Sequence, residues 1–288
     1  MADAILEAEG LWFWYADEQA PVLRGLDLAV PRGEFLALVG ANGSGKTTLT
    51  KHFNGLLRPR RGCVRVDGQD AAGRSVGELA RHVGYLFQNP EQQIFSTTLR
   101  QELSFGPQNL GLSPAEVEAR VEDALARFRL SEVVDSPPAI LSYGLRRRVT
   151  LASLAAMDPP LLVLDEPTVG LDAPGLAETF GWLAELHARG RTIVLVTHDM
   201  SLSAEHADRV VALRQGQILA SAPPAELFRQ RGILSQASLV APPVVALARA
   251  LIPLGMRGDS RSVESFCEEY ADLLARRAAL RQPREPEL

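Results

Sequence analysis

Residues 35–50, FLALVGANGSGKTTLT, constrain the chain more than any other stretch. An apolar strand pattern runs from Phe35 to Val39, enters a glycine-rich turn, and leaves it as a helix opening with Lys46 and Thr47. Gly40, Gly45, Lys46 and Thr47 satisfy the spacing G-x-x-x-x-G-K-[ST] of a phosphate-binding loop, with Gly43 as a further glycine inside it. Glycine lets the backbone turn tightly enough to aim successive N–H groups at a polyphosphate, and the helix that follows adds the positive end of its dipole. Lys46 is then placed for the β- and γ-phosphates and the Thr47 hydroxyl for Mg²⁺. Asn42, Ser44 and Thr48 complete the candidate cradle. Of the 30 basic residues only Lys46 and Lys51 are lysine. A compact ammonium on a flexible stem fits inside a ring of backbone amides where the wide guanidinium fork does not, so lysine at this position carries information.

With 288 residues, 46% apolar and 23% charged, the chain can bury a sizeable core as a water-soluble protein. A net charge of −5 argues against a general nucleic-acid binder. Cys63 and Cys267 stand far apart with no C-x-x-C or histidine companion, and read as packing residues of a reducing compartment. The N-terminus reads as carrying no secretory signal, and no apolar run reaches the ~18–20 residues that span a bilayer. Any membrane role therefore requires a partner that supplies the spans.

Residues 5–15 and 26–30 read as strands, with Tyr15 closing the first. Its ring is either part of a sheet face or a stacking platform for a nucleobase. Residues 62–68 and 83–88 read as further strands, with a short helix around Val76–Arg81 between them. The second strand ends in Gln88 at the edge where ligands of such sheets bind, a weak signal when taken alone. From Asn89 to Met157 the texture is helical: Ser113-Pro114-Ala115-Glu116 forms a capping box, and Val117, Val121, Ala124, Leu125 and Phe128 form one stripe. Ser142 and Gly144 stand at the start of the next helix, where Ser142 reads as a plain N-cap or as part of a dipole-assisted phosphate site.

LLVLDE (161–166) is an apolar run ending in two acids. In a parallel sheet such a run is buried on both faces, so Asp165 and Glu166 emerge at the carboxyl edge beside the phosphate loop. One carboxylate can hold Mg²⁺ while the other accepts a proton from an attacking water. TIVLVT (192–197) delivers His198 to the same edge, and strands near 209–221 close the core. After Pro223 come a helix at 225–230, a linker with Pro242-Pro243, and a helix from about Ser262. Val263, Phe266, Tyr270, Leu273 and Leu274 give that last helix an apolar stripe, too small for an independent core and expected to pack on the main domain or on another subunit.

Gln88, LSYGL, LLVLDE, GLD and His198, in this order behind a phosphate loop, resemble the ATPase subunit of an ABC transporter over about residues 3–230. QNPEQQIFSTTLRQELSFGPQNLGL (88–112) and the extension after 223 are similar to the A-component of energy-coupling factor importers, which includes cobalt and nickel transport ATPases. The resemblance implies a mixed α/β fold with a P-loop NTPase core of ABC type at 3–222, a helical subdomain at about 89–157, and a C-terminal helical extension at 223–288 with a disordered tail. It implies ATP and Mg²⁺ as ligands. Tyr15 stacks on adenine; Lys46 and Thr47 serve the phosphates and metal; Gln88 serves metal and water. Asp165 holds Mg²⁺, Glu166 is the catalytic base, Asp172 couples subunits and His198 meets the γ-phosphate.

The same resemblance implies partners. Two ATPase subunits, copies or paralogues, face head to tail, and each phosphate loop is capped by the other's signature helix. A transmembrane coupling component and a separate substrate-binding membrane component complete the importer, which places this subunit peripherally at the cytoplasmic face, without nucleic acid. The signature departs from the family's L-S-G-G-Q: Tyr143 replaces the first Gly and Leu145 the Gln. Ser142 and Gly144 remain, so a hydroxyl and a backbone N–H reach the phosphate without the Gln amide. Two other classes share the loop but fit less well. ABC machines of DNA maintenance or translation carry long coiled coils or two loops per chain, and small-molecule kinases leave LSYGL and the Gln88 region without a role.

Overall fold

Unbroken apolar runs form strands here because they can be buried on both sides at once. The computed structural model describes residues 3–16 and 20–281, with side chains to 277; the expected disordered tail, 282–288, lies outside the described residues. The chain proceeds β1 (Ala4–Phe13), β2 (Leu23–Pro31), β3 (Phe35–Val39), α1 (Lys46–Phe53), β4 (Arg61–Val66), β5 (Gln69–Asp70), α2 (Val76–Leu79) and β6 (Val83–Leu86). Helices α3 (Leu99–Asn109), α4 (Pro114–Arg127) and α5 (Tyr143–Met157) follow, then β7 (Leu161–Asp165), α6 (Ala173–Ala188), β8 (Thr192–Val196), α7 (Met200–His206), β9 (Arg209–Arg214) and β10 (Gln217–Ala222). The extension holds α8 (Pro224–Leu227), α9 (Arg231–Gln236), α10 (Pro243–Ala250) and α11 (Val263–Arg281).

The central sheet has the order β10-β9-β3-β8-β7-β6, parallel except for β10. Successive residues along each strand point to opposite faces, and both faces are covered. Phe35, Ala37, Val39, Leu162, Leu164, Ile193 and Leu195 join the core that includes the helices. Leu36, Leu38, Leu161, Val163, Val194 and Val196 join a second core beneath the antiparallel sheet β2-β1-β4-β5. With the mid-strand residues of β3, β7, β8 and β9 apolar, the polar side chains of those strands emerge only at their ends. The carboxyl ends of β3, β6, β7 and β8 therefore deliver the glycine loop, Gln88, the acid pair and His198 to one edge.

Between β6 and β7, helices α3–α5 pack together. The capping box forms as expected: Ser113 Oγ accepts from Glu116 N, and Glu116 Oε2 accepts from Ser113 N at 2.8 Å. Val117, Val121, Ala124, Leu125 and Phe128 are all buried. The cap contributes about 1 kcal/mol. Each fully buried large apolar side chain contributes about 1.5–3 kcal/mol, so the stripe dominates the attachment of α4.

Several boundaries differ from the sequence reading. Strand β1 ends at Phe13, so Tyr15 lies two residues beyond it, and α2 stops at Leu79. Helix α8 is only four residues long, and the segment expected as linker forms α9. Helix α9 is held by Leu234 and the neighbouring Ala237, both buried in the main core, and two contacts are too few to make a periodic pattern. Val245 on α10 is also part of that core, so the first half of the extension packs on the main domain. The second half closes a small cluster of Ala248, Met256 and Leu273, with Leu251 and Phe266 against it. That cluster occupies only part of the α11 stripe and leaves Val263, Tyr270 and Leu274 exposed. Cys63 is half-buried but Cys267 is exposed, so Cys267 is not a packing residue.

The turn between β9 and β10 ties three parts of the fold together at Gly216. Its N–H donates to Ser44 O at 2.9 Å, and its carbonyl accepts from Arg24 N at 2.9 Å. It adopts φ 77°, and a Cβ there would fall 2.0 Å from Val22 O. Gly216→Ala is expected to cost at least ~2 kcal/mol, because both the left-handed backbone and the fixed carbonyl oppose it. A thermal melt should show the transition several degrees lower, with nucleotide affinity reduced because Ser44 belongs to the glycine loop.

Candidate nucleotide-binding site

The glycine loop has the geometry its composition demands, with φ of 151° at Gly40, 76° at Gly43 and 106° at Gly45. Gly45 occupies the N-cap of α1, where a side chain would strain the turn and no side-chain cap competes for the helix amides. Tyr15, Asn42, Gly43, Ser44, Gly45, Lys46, Thr47, Thr48, Gln88, Asp165 and Glu166 line one cleft of about 520 Å³. A second cleft of about 670 Å³ adjoins it, sharing Asn42, Gln88 and Glu166 and adding Gly40, His198 and the segment 238–243. The adjacent clefts thus gather residues from β3, β6, β7 and β8 that are up to 158 positions apart.

Lys46 is buried and donates to Gly40 O at 2.8 Å and Ala41 O at 3.1 Å. Burial lowers its pKa, opposed by the nearby carboxylates of Glu166 and Asp165. The charge is thus held over the loop with neutral acceptors alone, ready for a stronger anionic partner. Thr47 Oγ1 donates to Asp165 Oδ2 at 2.7 Å. Asp165 Oδ1 and Ser44 Oγ are buried with no hydrogen-bond partner among the described residues. Desolvation raises the Asp165 pKa, and the Thr47 hydroxyl opposes it.

A buried carboxylate oxygen without a partner, beside a threonine hydroxyl, is a hard oxygen donor set that fits Mg²⁺. Among the described residues no group of three His, Cys, Asp or Glu is arranged to hold a metal ion by itself. A metal at Thr47 and Asp165 would accordingly take its remaining ligands from phosphate, water and the Gln88 side chain that lines the same cleft.

Glu166 follows β7 in a left-handed conformation, φ 50°, with its N–H donating to Val196 O at 2.9 Å. This turn brings its carboxylate to His198, whose Nδ1 lies 2.9 Å and 3.0 Å from the two oxygens. An ionised carboxylate only accepts, so Nδ1 carries the proton and Nε2 is left for the cleft. The Glu166 side chain is 11% exposed and that of His198 is 71% exposed, so the acid is seated while the imidazole faces outward. Tyr15 places its hydroxyl 3.0 Å from Thr48 Oγ1 and its ring edge-on to Phe13, and stays half-exposed beside the glycine loop.

Ser142, Gly144 and Asp172 line neither cleft. Ser142 caps α5, accepting from Leu145 N at 3.3 Å. Asp172 caps α6, accepting from Gly175 N and Arg148 Nη2, both at 2.9 Å, and these contacts lower its pKa. Arg147 escaped the sequence reading: it is fully buried and donates to carbonyls of the Gln88 loop. Three consecutive arginines offer no pattern that marks the middle one as buried.

Comparison with known proteins gives the family of the chain. A family model described as ABC transporter matches residues 23–169. The energy-coupling factor transporter ATP-binding protein EcfA of Methanoculleus marisnigri is 39% identical over 276 residues, covering 95% of this chain and 99% of that relative. The cobalt import ATP-binding protein CbiO of Rhodobacter capsulatus is 45% identical over 247 residues, covering 85% of this chain and 88% of that relative. Among solved structures, cbiO1 from Clostridium perfringens, described as part of the ABC transporter complex cbiONQ, superposes with a TM-score of 0.69 at 35% identity over 81% of this chain and 94% of that one. With its phosphate loop, acid pair and histidine on successive strands of one sheet, the chain belongs to the ABC transporter family of ATP-binding proteins.

Proposed function

We propose that this ABC ATPase powers an energy-coupling factor type importer of a micronutrient, a transition-metal ion such as cobalt or nickel or a vitamin. The observation that carries the reading is the edge where the Thr47–Asp165 and Glu166–His198 pairs meet the glycine loop, together with the relatives named for this importer class. Adenine stacks on the free face of Tyr15, and the triphosphate lies along 40–48 under Lys46. Thr47 and Asp165 would hold Mg²⁺, which would supply positive charge to offset that of the phosphates. Glu166 takes a proton from a water as its oxygen attacks the γ-phosphorus. The bond to the β–γ bridging oxygen breaks, and ADP and phosphate leave. His198 steadies Glu166 by donating from Nδ1, and meets the γ-phosphate by donating from Nε2 when both ring nitrogens carry protons, while Gln88 would contact metal and water from the rim.

Two such subunits, copies or paralogues, face head to tail, so that Ser142, Gly144 and the start of α5 reach the nucleotide of the other and Asp172 couples the two. Residues 3–222 form the ATP-binding domain, with a helical subdomain at about 89–157, and 223–288 the extension. No described helix is long and apolar enough to cross a membrane. The spans belong to the transmembrane coupling component and the substrate-binding component, with this subunit peripheral at the cytoplasmic face and no nucleic acid involved. The coupling component docks on residues 90–95. Phe95 is 64% exposed, with its ring 4.7 Å from the exposed Phe105, and Glu102 fixes the loop by accepting from Phe95 N at 3.2 Å and Ser96 N at 2.9 Å. Glu91 is exposed and sits 3.3 Å from the half-buried Arg146, leaving its outer side open to an incoming basic side chain.

Glu166→Gln keeps the shape and an acceptor for His198 while removing the base. Hydrolysis is expected to fall by roughly 10²–10⁴-fold with ATP binding retained, and near-normal phosphate release would remove Glu166 from the mechanism. Lys46→Ala loses a charge-assisted phosphate contact, so the ATP dissociation constant should rise about tenfold or more in equilibrium titration. An unchanged constant would count against the loop reading. Phe95→Ala with Glu91→Lys should leave the ATPase of the isolated subunit nearly intact and abolish co-purification with the membrane components. A full complex from the double variant would place docking elsewhere.

A further inference from the structure

Tyr143 stands where the family signature has glycine, and its surroundings are those of a clamp. A Cβ built on Gly170 would fall 2.3 Å from Tyr143 Cδ1, so the ring lies flush against the loop that follows Glu166. Gly144 meets the same loop, since a Cβ there would come within 2.7 Å of Gly170 O. The Tyr143 hydroxyl donates to Gln88 O at 3.4 Å.

One helical turn further on, Arg147 is fully buried and donates to Phe87 O at 2.7 Å, to Gln88 O, and to Val169 O at 3.4 Å. Among the described residues it makes no ion pair with a carboxylate. A buried guanidinium serving only backbone carbonyls is a costly way to stabilise a fold. Its planar fork does hold two carbonyls at a fixed distance and angle, which a lysine does not. The Gln88 side chain is exposed and makes no hydrogen bond among the described residues, so the position of its amide is set by its backbone. That backbone is held from α5: Tyr143 and Arg147 both converge on the Gln88 carbonyl.

We propose that Tyr143 and Arg147 are positioning residues that hold the Gln88 loop in register with the first turn of α5, so that the helix start and the Gln88 amide move as one body. The inference rests on the reading of Gln88 as a residue that contacts metal and water at the γ-phosphate edge. It also assigns a role to the departure at Tyr143: the side chain that replaces glycine acts on the catalytic edge of its own subunit.

The test is a double-mutant cycle in the full-length chain, reading steady-state kcat, equilibrium binding of a fluorescent ATP analogue, and the thermal transition. If the clamp acts through the Gln88 side chain, it has nothing to position once that side chain is gone. Tyr143→Gly is expected to leave nucleotide affinity within about twofold while kcat falls on the order of tenfold, the size of a sub-ångström misplacement. In a Gln88→Ala background the same substitution should lower kcat no further. Arg147→Lys, which keeps the charge and loses the fork, should behave alike. Where Tyr143→Gly fails to melt cooperatively, Tyr143→Phe and Arg147→Lys carry the cycle. Losses that multiply with Gln88→Ala, or a kcat unaltered by all clamp variants, would overturn the proposal. An inert Gln88→Ala would overturn the reading of Gln88, and this inference with it.

Discussion

A parallel sheet whose strands are apolar on both faces can release its polar side chains only where the strands stop, and the rest of this molecule follows from that constraint. Strands β3, β7 and β8 pair in register over Phe35–Leu38, Leu161–Asp165 and Thr192–Val196, so their carboxyl ends finish level with one another. The glycine loop and the acid pair stand at those ends, and His198 follows the end of β8 after Thr197. Their proximity follows from where the hydrophobic runs end, with no need for a long-range polar interaction to bring them together.

The electrostatics of the edge follow from burial. Lys46, Asp165 and Glu166 are all buried, and all three are held by short-range partners: carbonyls for the lysine, the Thr47 hydroxyl for Asp165, the imidazole for Glu166. Two adjacent carboxylates and one lysine in a low-dielectric cleft remain under tension, visible in the raised Asp165 pKa and in its partnerless oxygen. A nucleotide bound here supplies anionic oxygens to the lysine, and a cation beside it would supply charge to the acids. The protein without it is arranged for what it will bind rather than for its own greatest stability.

The helical subdomain and the extension are attached by different means. Helix α4 is fastened by a contiguous buried stripe, and α5 additionally by Arg147, which reaches the loops after β6 and β7. The extension divides, with its first half in the main core and its second half around a cluster of three buried residues. Exposed Val263, Tyr270 and Leu274 mark the part of the α11 stripe that this cluster does not cover.

Much of this was legible in the sequence, because the signals were local. The spacing from Gly40 to Thr47, the runs LLVLDE and TIVLVT, and the Ser113 capping box each depend on residues within one element, and each element forms where its pattern lies. The stripe from Val117 to Phe128 is buried for the same reason, since a helical period alone determines which side can be apolar. Other features were decided only by tertiary structure. That Arg147 and neither of its neighbours is buried, that Tyr143 lies on Gly170, that α9 forms around Leu234, and that Cys267 faces solvent all depend on which surfaces meet. Such pairings join residues tens of positions apart through one or two contacts each, too few to impose a period on the chain. The sequence by itself determined which residues stand at the carboxyl edge of the sheet, since strand ends are a local property. The packing of α5 against two loops decided how those residues are held, because the orientation of a side chain is set by what its helix touches.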